Sequence, residues 1–188
     1  MRFGLILCFS LILCGCSTTR SSTTAVMRAA SPVSAMLSVD AGSPQRFTAT
    51  FKDPNGGSQI AEVTLSVMSN NVLPGGKSGW SAHECLVRYD IATNAIWLVP
   101  EMGGTWGSQP ITAGTSSTFG NFQCTVMAVG SSAQVSGDTV TVNLELAFTA
   151  QFAGTKQLYM ASEDVNGVWS ANYQQQFASF IVATGRTP

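Results

Sequence analysis

The cysteines of this sequence could serve several chemical functions, and two of the five lie close together. Cys14 and Cys16 lie in the stretch LILCGCSTTR, residues 11–20, and the others are Cys8, Cys85 and Cys124. A cysteine can form a disulfide, bind a metal ion or carry a lipid chain. The residues around each cysteine indicate which of these uses applies.

The segment before Cys14 has the pattern of an export signal. Arg2 is the only charged residue ahead of an apolar run over the 12 residues 3–14. A helix of that length covers about 18 Å, which is too short for the ~30 Å hydrocarbon core of a bilayer. A basic start, a short apolar centre and small residues at its end predict a cleaved signal peptide over residues 1–15. Cys8 and Cys14 would leave with it.

The end of this signal resembles the lipobox of bacterial lipoproteins, in which Leu and a small residue precede an obligatory Cys. Here the matching residues are Leu13-Cys14-Gly15-Cys16, with Cys14 where that family more often has Ala, Ser or Thr. The resemblance implies cleavage before Cys16, diacylglycerol on its sulfur and acylation of its new amino group. Two or more acyl chains hold a protein stably on a membrane.

Ser17 follows the candidate lipid-attachment residue, where an Asp commonly signals retention in the inner membrane in this family. We therefore expect a lipid-anchored protein of the bacterial cell envelope, in the outer membrane. The alternative is an ordinary signal peptide that leaves a secreted protein.

The amino-acid composition divides the rest of the chain into a linker, a folded domain and a tail. Residues 16–36 are rich in Ser, Thr and Ala without alternation, which predicts a flexible linker. The folded domain then spans residues 37–183, and residues 184–188 form a polar tail. Charged residues make up only 10% of the chain and the net charge is −1, with no basic stripe, so nucleic acid is not an expected partner.

Residues of the usual catalytic types show no catalytic spacing. His83 is the single histidine, and together with Ser81 and Glu84 it forms the sequence SAHE. Neighbours along an extended chain point to opposite sides, and no G-x-S-x-G elbow is present. The acidic residues are scattered, without a sign of the paired carboxylates of a glycosidase. We therefore expect no enzymatic activity and no cofactor.

Two segments could provide oxygen ligands for calcium. They are residues 53–56 (DPNG) and residues 164–167 (DVNG), and each lacks the later bidentate Glu of an EF-hand loop. Asp, Asn and Gly also build tight turns, because Asp and Asn bond their own backbone and tolerate positive φ. We expect plain turns and no metal site, with calcium as the alternative.

The tryptophans raise the possibility of sugar binding. Trp80, Trp106 and Trp169 lie in or beside loops rich in Gly and Ser, whereas Trp97 lies in an apolar segment that we assign to the core. Exposed loop aromatics can form a flat surface for a sugar ring, but most tryptophans cap a core instead. A carbohydrate-binding module is therefore our alternative function.

The folded domain shows the period of β-strands. In TVTVNLELAF, residues 139–148, apolar side chains alternate with polar ones over ten positions. Shorter segments repeat the pattern, and turn residues separate them. We predict an all-β fold, an antiparallel β-sandwich of about seven to nine strands, with a barrel as the alternative. The predicted strand segments are RFTATF, VTLSV, CLVRYD, NAIWLV, FQCTV, TVTVNLELAF, QLYMA and FASFIV.

Cys85 and Cys124 are the cysteines of the folded domain. Cys85 shares a strand face with Val87 and Tyr89, and Cys124 shares one with Phe122 and Val126, so both sulfurs are expected in the core. In an oxidising compartment two such cysteines pair. The alternatives are two buried free thiols and, with His83, an incomplete zinc site.

The order of these segments resembles an immunoglobulin-like module of large bacterial surface proteins. The resemblance covers residues 43–182 and rests on the DPNG turn, the two cysteines, the FAGTK stretch and the D-x-N-G turn. The last strand lacks the Trp found in that family. The resemblance implies an immunoglobulin-like architecture and an envelope location but no chemistry. We therefore expect a non-enzymatic domain for adhesion, assembly or structural display, with an envelope protein or a glycan as partner.

Overall fold

A computed structural model describes residues 26–28, 37–69, 84–100, 109–170 and 176–184. Within these ranges the chain forms strands, turns and two short 3₁₀ turns, Gly57–Gln59 and Ala150–Phe152. The described ranges contain no helix that is long and apolar enough to span a bilayer. The segments in which apolar and polar residues alternate therefore form β-strands.

Five strands form one layer, called sheet A. Its neighbours are joined in the order β1-β3-β10-β9-β8, and every pair is antiparallel. The central pairing of β10 with β3 runs over nine residue pairs, from Thr139↔Lys52 to Ala147↔Pro44. The strands are β1 (Val26–Arg28), β3 (Pro44–Lys52), β8 (Thr118–Gly120), β9 (Cys124–Ser136) and β10 (Thr139–Phe148).

Seven strands form the second layer, called sheet B, in the order β2-β12-β11-β4-β5-β6-β7. Its pairs are antiparallel apart from β2 with β12, which run parallel. The strands are β2 (Leu37–Asp40), β4 (Ile60–Ser69), β5 (Cys85–Asp90), β6 (Ala95–Leu98), β7 (Ile111–Thr112), β11 (Gly154–Asp164) and β12 (Gln176–Ala183).

The two sheets pack as a sandwich, and their connectivity is that of a variable-type immunoglobulin domain. Strands β3, β10 and β9 take the places of strands B, E and D of that fold, while β12, β11, β4, β5 and β6 take those of G, F, C, C′ and C″. The first strand is divided between the layers, as β1 in sheet A and β2 in sheet B. The predicted antiparallel sandwich is confirmed, and the short strands β1, β2, β7 and β8 add to the eight predicted segments.

The core lies between the sheets and follows the predicted alternation. In β10 the large apolar side chains face inward and are at most 3% exposed, whereas the polar residues that alternate with them are half-buried on the outer face. Burying one such side chain stabilises a fold by about 1.5–3 kcal/mol. The inward residues of β10 are Val140, Val142, Leu144, Leu146 and Phe148.

Part of the predicted linker belongs to the fold. Val26–Arg28, inside the segment 16–36, forms β1 and pairs with Thr50–Lys52 of β3. These residues lie inside the segment 16–36 that the sequence predicts as a flexible linker. At the sheet edge β3 offers unpaired N–H and C=O groups, which a passing β-prone segment can satisfy.

Backbone hydrogen bonds join three loops at one end of the sandwich, called the turn end (residues 53–59, 137–138 and 165–168). Asp53 N–H donates to Asp138 O, Gly57 N–H to Gly137 O and Val165 N–H to Gln59 O, each over 2.9 Å. At Gly57 an added Cβ would lie 2.7 Å from Thr139 O, so this approach requires glycine. The opposite end, called the disulfide end, contains residues 121–124 and 149–154.

Candidate ligand-binding face

The outer face of sheet B carries most of the charged side chains of that sheet. In β4, Val63, Leu65 and Val67 point into the core. The alternate positions of the strand, which include Glu62 and Thr64, therefore point outward. Towards the disulfide end this outer face is buried, with Leu86 only 2% exposed. Towards the turn end its side chains are half-buried, so a ligand could reach them there.

Four residues of this accessible part form one row across four chain segments. Trp169 is bridged to Glu163 of β11, Glu163 pairs with Glu62 of β4, and Glu62 pairs with Asp90 of β5. Directly paired residues in antiparallel strands project to the same face with Cβ atoms about 4.5–5.5 Å apart. The row, called the acidic row, therefore places three carboxyl groups and an indole side by side.

Arg88 and Trp97 lie in the adjacent row, where Arg88 of β5 pairs with Trp97 of β6. The Arg88 guanidinium lies 4.8 Å from the centroid of the Trp97 ring, and its Nη1 lies 3.5 Å from Glu62 Oε2. The charged parts of this ion pair are mostly buried, with side-chain exposures of 20% for Arg88 and 16% for Glu62. Arg88 thus connects an aromatic ring to the acidic row.

Glu62 is the most perturbed carboxyl group of the face. Burial raises its pKa from 4.5 to about 7, although the nearby positive charge of Arg88 lowers it. The Glu163 charge, a hydrogen bond between the two carboxyl groups and the charge of Asp90 raise the pKa further. Glu62 therefore keeps its proton to a much higher pH than an ordinary glutamate does.

This arrangement offers groups that can recognise a polar ligand. Glu62 and Glu163 are directly paired across β4 and β11, which places their Cβ atoms about 4.5–5.5 Å apart. Carboxyl oxygens and a guanidinium supply hydrogen-bond acceptors and donors, and the indoles of Trp97 and Trp169 supply apolar ring surface. Among the described residues, no group of three His, Cys, Asp or Glu side chains is placed to hold a metal ion.

The disulfide is formed as the sequence predicted. Cys85 of β5 and Cys124 of β9 are both fully buried, and their Cα atoms lie 5.7 Å apart. The bond joins sheet B to sheet A. In antibody domains the bridge joins strands B and F, but here it joins the equivalents of C′ and D.

Asn121 fixes the chain beside the disulfide. Its Nδ2 donates to Glu84 O at 3.1 Å and Val99 O at 2.9 Å, and its Oδ1 accepts from the N–H groups of Gln123 and Cys124, each at 2.9 Å. This buried amide ties the start of β9 to the chain on either side of the β5–β6 hairpin. Phe122, which we expected on the inward face with Cys124, is instead 65% exposed, because it occupies the turn before the strand begins.

A buried lysine stabilises the disulfide end in a different way. Lys156 of β11 is 3% exposed, and its Nζ donates to Ser69 Oγ and Ala153 O, each at 3.0 Å. The Nζ also lies 4.2 Å from the centroid of the Phe152 ring. Burial lowers the pKa of Lys156. Its donors bind the last residue of β4 and the loop at 149–154, so we assign it a structural role.

The two D-x-N-G segments form turns held by their own side chains. Asp53 Oδ1 accepts from Asn55 N–H at 2.8 Å, and Asp164 Oδ1 accepts from the N–H groups of Asn166 and Val168, each at 2.8 Å. Gly167 has φ of 77°, the left-handed conformation that the turn requires. The turn geometry predicted from these residue types is therefore present.

The remaining predicted site residues lie in different places. Trp80, Trp106, His83, Ser81 and the lipid-attachment residue Cys16 fall outside the described residues. Trp169 is half-buried at the end of the acidic row. Glu84 is buried, and its Oε2 accepts from Ser66 Oγ at 3.1 Å. Trp97 lies in a strand as predicted but on the outer face, because Ile96 and Leu98 take the inward positions.

Sequence reasoning did not find the Glu62–Glu163 pair. The two residues are 101 positions apart, and only the register of β11 against β4 brings them together. Each does stand at a polar position of an alternating strand, which marks it as outward-facing. No protein-family model matches the sequence, and no curated protein is similar to it.

Proposed function

We propose that this protein is a non-enzymatic lipoprotein of the bacterial outer membrane that displays an immunoglobulin-like domain for adhesion or assembly. The observation that carries the proposal is the Cys85–Cys124 bond between the sheets, with both residues 0% exposed. Disulfides of this kind persist in oxidising compartments outside the cytosol. The fold itself therefore favours export, independently of the N-terminal signal.

The lipobox-like residues 13–16 support a membrane anchor at Cys16. Acyl chains on the sulfur and amino group of Cys16 would hold the domain on the membrane, since each buried CH₂ contributes about 0.8 kcal/mol. Val26–Arg28 already belongs to sheet A, so the anchor and the folded domain are close in sequence.

The partner surface that we assign is the acidic row with Arg88 and Trp97. Arg and Trp are enriched at protein interfaces, and Arg88 beside Trp97 supplies both on this face. The partner would be an envelope protein with hydrogen-bonding groups along its contact surface.

A carbohydrate is the second candidate ligand, favoured by the position of Trp169 beside Glu163 on the same face. Ring faces next to carboxyl groups can stack on a sugar and bind its hydroxyls. A glycan array probed with residues 26–188 distinguishes the candidates. Binding that disappears in Trp169→Ala but persists in Val135→Ala, a change on sheet A, supports the carbohydrate. No binding on the array favours the protein partner.

The anchor is tested by substituting Cys16 with serine. We expect wild-type protein to fractionate with membranes and to dissolve only in detergent, whereas Cys16→Ser should appear in the aqueous extract. The matched control is Cys14→Ser, which should still fractionate with membranes because Ser is usual at that position in lipoboxes. Identical fractionation of wild type and Cys16→Ser would show that the lipid anchor is wrong.

A further inference from the structure

We propose that the turn end of the sandwich lies against the lipid surface, with Val165 and Val168 at the interface and the disulfide end directed away. This orientation rests on the proposed lipid anchor at Cys16. It adds a second membrane contact, made by the folded domain itself, to the covalent one.

The first argument is the place where the chain enters the fold. β1 is antiparallel to β3, and its first residue, Val26, pairs with Lys52. Lys52 is the last residue of β3, directly before Asp53 of the turn end. The chain that leads from Cys16 therefore reaches the domain at the turn end.

The second argument is the length of the connection. The nine residues 17–25 separate Cys16 from Val26, so ten Cα–Cα steps join the two residues and span at most about 35 Å when fully extended. A flexible chain of nine residues has an r.m.s. span of about 17 Å. The 11 residues of β11 alone extend for about 36 Å. With the disulfide end on the membrane, the connection would have to be almost fully stretched, so the turn end is favoured.

The third argument is that the acidic side chains of the turn end are already satisfied within the protein. Asp53 is 1% exposed and bonded to Asn55 N–H, while Asp164 is turned inward onto the backbone of its own turn. Asp138 forms an ion pair with Lys52 at 2.8 Å. The Lys52 charge compensates that of Asp138, which limits the repulsion at an anionic lipid surface.

The fourth argument is the apolar tip between these charges. Val165 and Val168 flank Asn166-Gly167 at the tip of the turn, and both are 56% exposed. The four tip residues 165–168 carry no charged side chain, and the Asp164 carboxylate beside them accepts two backbone hydrogen bonds. Apolar side chains at such a tip suit the boundary between headgroups and acyl chains.

The test uses full-length lipidated protein reconstituted in vesicles of phosphatidylethanolamine and phosphatidylglycerol. The variants Val165→Cys and Val168→Cys each add one free thiol to a protein whose Cys16 is lipidated and whose Cys85 and Cys124 are paired. That thiol carries an environment-sensitive fluorophore, and the lipids carry a headgroup quencher. Phe122→Cys, at the disulfide end and 65% exposed in the wild type, is the matched control. We expect at least twofold stronger quenching at positions 165 and 168 than at position 122.

Each outcome decides one claim. Vesicle flotation of the protein with equal quenching at all three positions, or stronger quenching at 122, overturns the orientation and leaves the anchor intact. Protein that does not float with vesicles overturns the anchor, and the orientation with it. Agreement between positions 165 and 168 guards against a local effect of either substitution.

Discussion

Single residues on the sheet B outer face show how burial and neighbouring charge together set a protonation state. Glu62 has Arg88 on one side and Glu163 and Asp90 on the others. The guanidinium alone would lower the pKa of Glu62, yet burial and the two acidic neighbours outweigh it and raise the pKa to about 7. The acidic row therefore changes its charge near neutral pH.

This shift predicts the pH dependence of stability. Between pH 4.5 and about 7 the folded protein keeps a proton on Glu62 that the unfolded chain releases. The free energy of unfolding should therefore fall as the pH rises through this window, by up to about 3 kcal/mol, and level off above it. Glu62→Gln should remove this dependence, as measured by urea unfolding at pH 5, 6, 7 and 8.

The matched control is Asp40→Asn, which neutralises an exposed carboxylate outside the acidic row. It should retain the wild-type profile. If Glu62→Gln and wild type lose stability in parallel between pH 5 and 8, the raised pKa of Glu62 is wrong.

At the scale of elements, the D-x-N-G turns show that side chains of the types that bind calcium can instead accept hydrogen bonds within their own turn. Asp53 and Asp164 each have an oxygen directed at backbone N–H groups. An ion would have to compete with these hydrogen bonds. The two turns therefore complete their geometry with the side chains already present.

We accordingly expect calcium to have no effect on stability. Melting temperatures in a chelator and in millimolar calcium should agree within about a degree, because an ion that binds only the folded state must raise the melting temperature. Differential scanning fluorimetry of residues 26–188 measures this, with Asp164→Asn as the comparison. A rise with calcium that Asp164→Asn abolishes would make the second turn a metal site.

At the scale of the whole molecule, the disulfide and the Asn121 amide join the two sheets at one end, while backbone hydrogen bonds join them at the other. Cys85 and Cys124 are 39 residues apart in sequence, so their bond closes a long loop across the layers. At the turn end, Gly57 N–H donates to Gly137 O, in the turn between β9 and β10 of sheet A. Gln59 O accepts from Val165 N–H, in the turn after β11 of sheet B. The sandwich is thus fastened at both ends.

Closing a loop of this length should stabilise the fold by about 4 kcal/mol in the chain-entropy model. Reduction should therefore lower the free energy of unfolding by about 2–5 kcal/mol, measured by denaturant titration with and without reductant. The Cys85→Ala/Cys124→Ala variant should resemble the reduced protein and lose its sensitivity to reductant. Two alkylatable thiols in native, air-oxidised protein would contradict the pairing.

The sequence by itself determined the elements and their inward faces. Alternation in residues 139–148 fixed which side chains of β10 enter the core, because a strand turns successive residues to opposite sides. The same reasoning placed both sulfurs inside and predicted the bond between Cys85 and Cys124. Local residue types also specified the turns at 53–56 and 164–167, since those turns depend on side chains two to four residues away.

Only the tertiary structure decided which strands are neighbours and in what register. Nothing local in β4 or β11 indicates that Glu62 meets Glu163, because their contact depends on a pairing across 101 positions. Trp97 took the outer face because its neighbours Ile96 and Leu98 filled the inner one, a choice that its apolar character alone did not reveal. The docking of Val26 beside Lys52 likewise follows from an open strand edge, which exists only after sheet A has formed.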